Sequence, residues 1–439
     1  MSRLYAGSGY ADITPAVGGY LYGYNDSTVS TALHDPLEIK ALALRGETGE
    51  PVVLLSVSVG DFGTECCRET REAISLALGI APERLLASAI HTHSGPNVCG
   101  VSGWGGVDRP YFDGIFKPAA IRAVKEALDS LVPAEFAIAE GESLVGINRR
   151  ELSEDGEISL GQNPWAPQDK TMTVIRFRHA ETKKPIFQMI HYGFHGTAAG
   201  NNTEISRDWI GVMIDRAEAE TGVRTGFWNG CVGDIGPRLT NGKTVGNIRY
   251  AEELGGIAAQ DACRIAKPLS RAQYTDAPLT VRTETLSFPC RPLPTREELD
   301  AYLASHPADA HYVNIDGMID AFLRRADELL RSGEEIPKEK KVPVTVVALG
   351  DVLAFCPLPY EMFSELCLRL RLHSPFPHTL ALSLTNGYEA YLPTKDALAR
   401  GGYEVECFRY NGPPALADDT DTVVVKEFLG ILREMCETV

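Results

Sequence analysis

The sequence predicts an α/β fold of mixed β-sheets flanked by helices, and three observations carry that prediction. Strand-like apolar runs alternate with helix-like ones along most of the 439 residues, the order expected when helices cover the faces of a sheet. With 44% hydrophobic and 23% charged residues, the composition is that of a globular domain and excludes disordered, collagen-like and coiled-coil chains. Gly 41 and Pro 27 supply many turns without any repeat period.

Element by element, residues 51–59 (PVVLLSVSV) read as a buried strand. Residues 64–78 carry helical spacing, with Cys67, Ile74 and Leu76 among the apolar positions, and 84–91 (RLLASAIH) read as a second strand. A long helix is expected over 110–130. Strands follow at 134–140, 172–179 and 185–191, then a helix at 205–221 and a strand running into a loop at 223–233. Composition shifts at 291–342. There Thr295 and an acidic first turn open one helix, 316–332 forms another, and EEIPKEKK is a charged link. We read this stretch as a helical insertion or lid on a single domain spanning 1–439, by default a solvated hairpin without a catalytic part. Beyond it, VPVTVVALGDVLAFCPLPY reads as a hairpin turning at Gly350-Asp351. A helix at 361–373 and an amphipathic helix at 424–437 close the chain.

The net charge of -17, from 42 basic and 59 acidic residues, repels phosphate backbones, so no nucleic-acid partner is expected. No window approaches the roughly 18 uninterrupted apolar residues of a membrane span, so no stable membrane insertion is expected either. The opening MSRLYAGSGYADITP lacks an apolar signal core, and a cytoplasmic location is the expectation. The ten cysteines form no CxxC pair and Cys66–Cys67 are adjacent; most read as buried free thiols rather than a disulfide or zinc framework. A small molecule is the expected partner, and no feature specifies an oligomeric state.

The strongest chemical signal is His91-Thr92-His93-Ser94-Gly95-Pro96. At a strand end, residues two apart project to one face, so both rings should point together where α/β folds place their sites. Two neutral imidazoles suit a metal, or one ligand beside one acid/base, while two hydrogen-bonded buried histidines remain the plain alternative. Three more segments run from strand to polar loop: IFQMIHYGFHGTAAGNN with His191 and His195, LAFCPLPYEMFSE with Glu361 opening a helix, and TNGYEAYLPT with Tyr388 and Tyr391. Alone, Glu361 is explained by the about 0.3–1 kcal/mol that a helix N-terminus offers a carboxylate, and Tyr391 reads as core. Trp104 reads equally as core or as pocket wall. Asp61 and Asp208 are each placed to orient a metal-binding histidine. His34, His179, His191, His306, His311, His373 and His378 have no motif support.

Taken together these segments resemble the neutral (non-lysosomal) ceramidase family, in its catalytic domain only. The resemblance runs from Gly7-Ser8-Gly9-Tyr10-Ala11-Asp12-Ile13-Thr14-Pro15 through Gly23-Tyr24, HTHSGP, Ile147-Asn148-Arg149, His195-Gly196-Thr197 and Gly233-Asp234-Ile235. It continues with Pro359-Tyr360-Glu361, then Tyr391, and ends at Tyr403-Glu404, twelve residues after Tyr391. It implies a ceramidase-type catalytic fold and a zinc amidase, with one zinc per chain held by His91, His195, Glu361 and Tyr391. It further implies His93 as general acid/base and Arg149 with Tyr403 on the substrate carbonyl oxygen, and Asp234 as a support or a plain turn residue. Other divalent ions are compatible with such donors.

Two departures shape the expected function. Gly236 stands where the family has a serine before proline, which leaves a metal-water mechanism but no serine-dependent one at that position. The family's C-terminal immunoglobulin-like domain and a secretion signal are not expected. The expectation is therefore a zinc-dependent hydrolase cleaving an N-acyl amide or related bond of a small soluble substrate through metal-activated water. Two alternatives use the same site: a metal-dependent lyase or epimerase acting on a polar metabolite through His93 and Tyr403, and a non-catalytic binder.

Overall fold

Two β-sheets stack face to face and helices cover both outer faces in the computed structural model, which describes residues 3–437. The larger sheet contains β1 (Leu4–Asp12), β2 (Glu38–Gly46), β3 (Val52–Val57), β4 (Leu85–Ala89), β5 (Val132–Glu142), β6 (Thr171–His179), β7 (Pro185–Tyr192) and β8 (Thr225–Asn229). Its order is β8-β7-β6-β5-β1-β2-β3-β4. The smaller contains β9 (Leu279–Pro289), β10 (Glu339–Leu349), β11 (Leu353–Pro357) and β12 (His378–Leu382), in that order. Between them Leu42, Leu54, Phe136, Phe177 and Trp228 meet Val347, Phe355 and Leu380 in one apolar layer.

The longer helices are α1 (Thr64–Leu78), α2 (Lys117–Asp129), α3 (Asp208–Thr221), α4 (Ile248–Ala266), α5 (Arg296–Ser305), α6 (Asn314–Ser332), α7 (Ser364–His373) and α8 (Thr420–Glu437). On the large sheet, α1 and α2 bury Ile74 and Val124 over one half, and α3 and α4 bury Met213 and Ala262 over the other. On the small sheet, α7 and α8 bury Leu370 and Phe428.

Three parallel strand pairs matter most for function. They are β3–β4, β7–β8 and β11–β12, each joined through a helix, α1, α3 and α7 respectively. In α/β folds such units present their loops beyond the carboxyl ends of the strands. The strands between these pairs in the larger sheet are antiparallel.

Most expected elements are present, with corrections at their ends. The 110–130 helix includes a π-helical turn at Phe112–Phe116 before α2, and the 205–221 helix begins at Asp208. The hairpin turns at Gly350, whose φ of 55° suits glycine. The charged link is shorter than expected, because β10 already begins at Glu339. Helix α5 carries the expected cap, Thr295 and Glu298 satisfying each other's backbone amides. Among the described residues no helix is long and apolar enough to cross a membrane. All ten cysteines are free, and six of them are buried, so no disulfide or thiolate cage organises the fold.

Near the start of α3, the Arg207 guanidinium binds Asp35 at 2.7 Å and Glu38 at 2.8 Å. His34 joins this cluster and is pushed up from 6.5 to about 9, first by its hydrogen bond to Asp35. A raised histidine stabilises the fold fully below its unfolded value of about 6.5. That contribution is lost as pH rises through 9. His34→Gln is therefore expected to flatten the fall in urea midpoint between pH 6.5 and 9, by about 1 kcal/mol or less after solvent screening. An unchanged slope would remove His34 from the account.

Candidate metal and catalytic site

The loops beyond all three parallel pairs meet at one point. His91 follows β4, His195 follows β7, and Glu361 and Tyr391 follow β11 and β12. Strand β4 ends at Ala89, and His91 has a φ of 71°, so strand alternation does not align the two histidines of the HTH motif. A left-handed turn does, bringing the rings of His91 and His93 to 4.9 Å. Such a φ is uncommon for a residue other than glycine and costs strain. The amide of His91 donates to Val59 O at 3.0 Å, which holds the turn on the end of the sheet.

The nitrogen Nδ1 of His91 faces Gly60 O at 3.1 Å and Asp61 Oδ1 at 3.0 Å. In His195, Nδ1 donates to Ile235 O at 2.9 Å. Both rings are thereby oriented with Nε2 toward Glu361. The two loops touch backbone to backbone: a Cβ on Gly196 would lie 2.5 Å from His91 O, so only glycine lets them close. This explains the glycine after His195 in the sequence.

Glu361 does not open a helix. It lies in a two-residue strand whose register pairs Glu361 with Tyr391, and α7 starts at Ser364. Helix capping therefore does not explain this carboxylate. Its Oε1 accepts a hydrogen bond from Tyr388 Oη at 3.0 Å. Its Oε2 lies 2.9 Å from His195 Nε2 and 3.4 Å from His91 Nε2.

These last three atoms, His91 Nε2, His195 Nε2 and Glu361 Oε2, are buried without a hydrogen bond. A buried polar atom left unpaired costs about 1–3 kcal/mol. Three such atoms within 4.8 Å of one another are satisfied together by one cation. Imidazole nitrogen and carboxylate oxygen are donors that suit zinc. The backbone carbonyls and Asp61 on the opposite ring nitrogens are the outer contacts such ligands use. Burial opposes charge on His91, but Glu361 and Asp61 prevail and raise it to about 10. Burial, Arg149 and His91 lower His195 to about 4.

Around this cluster sit the other residues singled out in the sequence. His93 has both ring nitrogens buried without a partner. Burial and the neighbouring His91 and His195 hold it well below its ordinary value, so its ring is neutral. Gly23, at φ 125°, wraps His93, and a Cβ there would be 2.6 Å from the ring. Arg149 Nη2 donates to Tyr391 Oη at 2.9 Å. Burial raises Tyr391 well above its ordinary value, and Arg149 works in the opposite direction. Tyr403 packs edge-on against Tyr391 at 5.8 Å.

The comparisons follow this geometry. A family model described as neutral/alkaline non-lysosomal ceramidase, N-terminal, matches residues 4–252. The chain belongs to the neutral/alkaline non-lysosomal ceramidase family. The crystal structure of neutral ceramidase from Pseudomonas aeruginosa superposes at a TM-score of 0.76 with 18% identity, covering 100% of this chain and 75% of that one. A ceramidase complexed with C2 also gives 0.76 and 18%, covering 100% and 76%. At that identity the likeness shows the shared α/β fold. A search of curated proteins finds no match. The family model spans His91, His93, Arg149 and His195; Glu361, Tyr391 and Tyr403 lie beyond it, and the fold brings them back to the same point.

Several residues of this ceramidase-family chain play parts that the sequence leaves open. Asp61 contacts His91 and also accepts from Tyr22 Oη at 2.6 Å. Asp208 touches neither histidine ring; it accepts from the amides of Ala198, Ala199 and Trp209 and so shapes the loop after His195. Asp234 is a clamp rather than a plain turn residue. It accepts from Ser364 N at 2.7 Å and Asn148 Nδ2 at 2.9 Å, tying the Glu361 segment to the strand Gly146–Leu152 that carries Arg149. Burial pushes its carboxyl up to about 7. His191 lies apart from the cluster, its Nε2 donating to Ala381 O at 2.8 Å.

Glu404 is the residue that sequence reasoning passed over. One oxygen accepts from Arg149 Nε at 2.8 Å and the other from Arg150 Nη1 at 2.7 Å, all within the interior. Its one signal was adjacency to Tyr403, which says nothing of partners some 255 residues away. At Gly236 a Cβ would lie 2.8 Å from Thr244 Cγ2, so Thr244 occupies the space that a side chain at 236 would need.

A cavity of about 20 Å³ opens beside His91, His93, Glu361, Tyr391 and Tyr403, room for about one water. Trp104 is both core and wall here, being 9% exposed and bordering the cavity. Met318 of α6 borders it too. The insertion is thus part of the site wall, not a solvated hairpin.

Proposed function

We propose that this chain is a zinc-dependent amidohydrolase that cleaves the N-acyl bond of a small molecule. Membership of the ceramidase family supports amide hydrolysis as the reaction. The observation that carries the metal is the convergence of three buried, unpaired ligand atoms on one point. His91, His195, Glu361 and Tyr391 would hold the ion. Zinc bound there polarises a carbonyl and lowers the pKa of water toward about 7.

The chain's own groups supply the rest. Neutral His93 takes up a proton and returns it to the departing amine. Arg149, held at Nε by Glu404 and at Nη2 by Tyr391, meets the carbonyl oxygen as charge builds. Tyr403 is the second donor. One such donor is worth about 3–4 kcal/mol of barrier. The small cavity and the net charge of -17 favour a small soluble amide over a lipid drawn from an anionic membrane.

Elemental analysis of untagged protein prepared without chelators is expected to find near one zinc per chain. Dialysis against a chelator should abolish hydrolysis and one equivalent of zinc should restore it. In 18O-labelled water the carboxylic acid product should gain one solvent oxygen. A solvent hydron at carbon without that oxygen would overturn hydrolysis in favour of lyase or epimerase chemistry.

A further inference from the structure

The motif TNGYEAYLPT holds two tyrosines, and the proposed reaction uses only Tyr391. Tyr388 nevertheless borders the catalytic cavity and divides the two oxygens of Glu361 between different duties. Oε1 accepts the hydroxyl of Tyr388 at 3.0 Å. Oε2 has no hydrogen bond and lies 2.9 Å from His195 Nε2 and 3.4 Å from His91 Nε2. An un-ionised phenol donates and a carboxylate only accepts. Hydrogen bonds to an ionised acceptor are about twice as strong as those between neutral groups, so this one is well able to fix the orientation of the carboxylate.

The backbone around Tyr388 holds that hydroxyl in place. Among the described residues seven other than glycine have a positive φ, and three of them, Leu384, Asn386 and Ala390, fall in this segment. Such conformations cost strain and persist where the surrounding structure over-determines them, as at functional sites. Here Asn386 N donates to Ala87 O of β4 at 2.8 Å, and Asn386 Oδ1 accepts from Ala87 N at 2.9 Å. Thr64, the first residue of α1, sets its Oγ1 3.2 Å from Tyr388 O and 3.3 Å from Tyr388 N. A Cβ on Gly387, at φ 148°, would lie 2.7 Å from that same Oγ1. Glu361 N in turn donates to Ala390 O at 2.9 Å, so the phenol and its carboxylate are anchored to each other's strands.

We propose that Tyr388 is a positioning residue that makes Glu361 a one-oxygen donor to the metal, holding Oε1 back so that only Oε2 meets the cation. Carboxylates bind cations through one oxygen or through two. Catalytic zinc sites keep a coordination position for water, and a second carboxylate oxygen competes for that position. Removing the hydroxyl leaves Oε1 without its hydrogen bond, and turning toward the cation restores a partner. The inference rests on the metal reading of the site, but not on the bond that the site cleaves.

The test loads the zinc-free protein with Co2+, whose visible absorption weakens as its coordination number rises. The signal of the site is the part that His91→Ala lacks. Tyr388→Phe removes the hydroxyl and keeps the ring. It should take up near one cobalt per chain, as the parent does, and show a weaker visible band. Tyr360→Phe is the control: Tyr360 precedes Glu361 in the chain, but its buried hydroxyl has no hydrogen bond, so the band should match the parent's. Thr64→Val removes the hydroxyl that faces the backbone of Tyr388 and should weaken the band in the same direction by less. That variant keeps the test open if Tyr388→Phe does not fold, and an unchanged band would then count against the proposal.

The outcomes separate this proposal from the metal reading beneath it. A parent that takes up no cobalt would overturn the metal reading and the role of Tyr388 together. A parent with near one cobalt per chain, and a Tyr388→Phe band equal to it, would overturn the role of Tyr388 alone. A band weakened to the same extent in Tyr360→Phe would do so as well. Loss of cobalt from Tyr388→Phe would make Tyr388 a support of the whole cluster and overturn the one-oxygen assignment.

Discussion

Replacing His91 by alanine is expected to remove zinc and hydrolysis together. His91 Nε2 is one of three unpaired ligand atoms, and its loss leaves Glu361 and His195 facing each other without a third protein donor from this set. Losing only an outer contact of a metal-binding histidine typically costs about 10–100-fold in affinity or activity. Loss of the ligand itself should exceed that, so zinc should fall from near one per chain to a small fraction. Asp61→Asn, which spares the ligand atoms and alters the contact at His91 Nδ1 and the bond from Tyr22, is expected in the lower range, about 10–100-fold. Because His91 sits at a φ of 71°, alanine there also meets backbone strain. His91→Asn tolerates that conformation better and separates loss of the ligand from loss of the turn. Circular dichroism, zinc content and turnover are measured on all three variants. An alanine variant that retains both zinc and turnover would reduce the cluster to a buried structural pair.

Glu404→Ala is expected to be the most destabilising single change near the site. Arg149 and Arg150 both lie in the interior with Glu404 as a shared carboxylate. Removing one partner of a buried ion pair costs about 3–5 kcal/mol, because the remaining charge stays buried without compensation. Here two guanidinium groups lose that partner at once, although Arg150 keeps a bond to Gly401 O at 2.6 Å and Arg149 keeps Tyr391. Activity should fall with stability, because Arg149 loses the contact at Nε that aims it. A misplaced oxyanion donor lowers kcat by about 10²–10³. Glu404→Gln preserves the shape and one acceptor, and should recover part of both. Urea unfolding and kcat are read on the same preparations. A stability change below about 1 kcal/mol would show that the arginines find other partners.

The elements that the sequence reveals are those whose burial is written in local apolar runs. PVVLLSVSV and RLLASAIH became β3 and β4, both buried along their length. The strands missed lack that signature. In β1, Gly7 and Gly9 interrupt the apolar pattern, because a Cβ at either would strike the carbonyl oxygens of Ala127 and Ala123 in α2 at 2.2 and 1.9 Å. In β2, Glu38 and Lys40 are buried charges that read as exposed until Arg207 and Glu218 are placed against them. Helix α4 was hidden by Gly255-Gly256; a Cβ on Gly255 would meet Trp209 O at 2.5 Å, so the glycine reflects close packing against α3 and not a break.

The same division holds at the site. Local sequence, read with the family resemblance, determined the fold class, the acidic balance and the seven candidate positions His91, His93, Arg149, His195, Glu361, Tyr391 and Tyr403. Each lies in a short motif of the resemblance. Only the tertiary structure decided which atoms converge and what holds them: the left-handed turn at His91, the pairing of Glu361 with Tyr391, the Glu404 bridge between two arginines, and the insertion as site wall. These depend on contacts between segments that are not neighbours in the chain, the most distant being Arg149 with Glu404. A hydrogen bond or a glycine-width approach at that separation leaves no periodicity in the chain, because its partner is fixed by packing rather than by neighbouring residues.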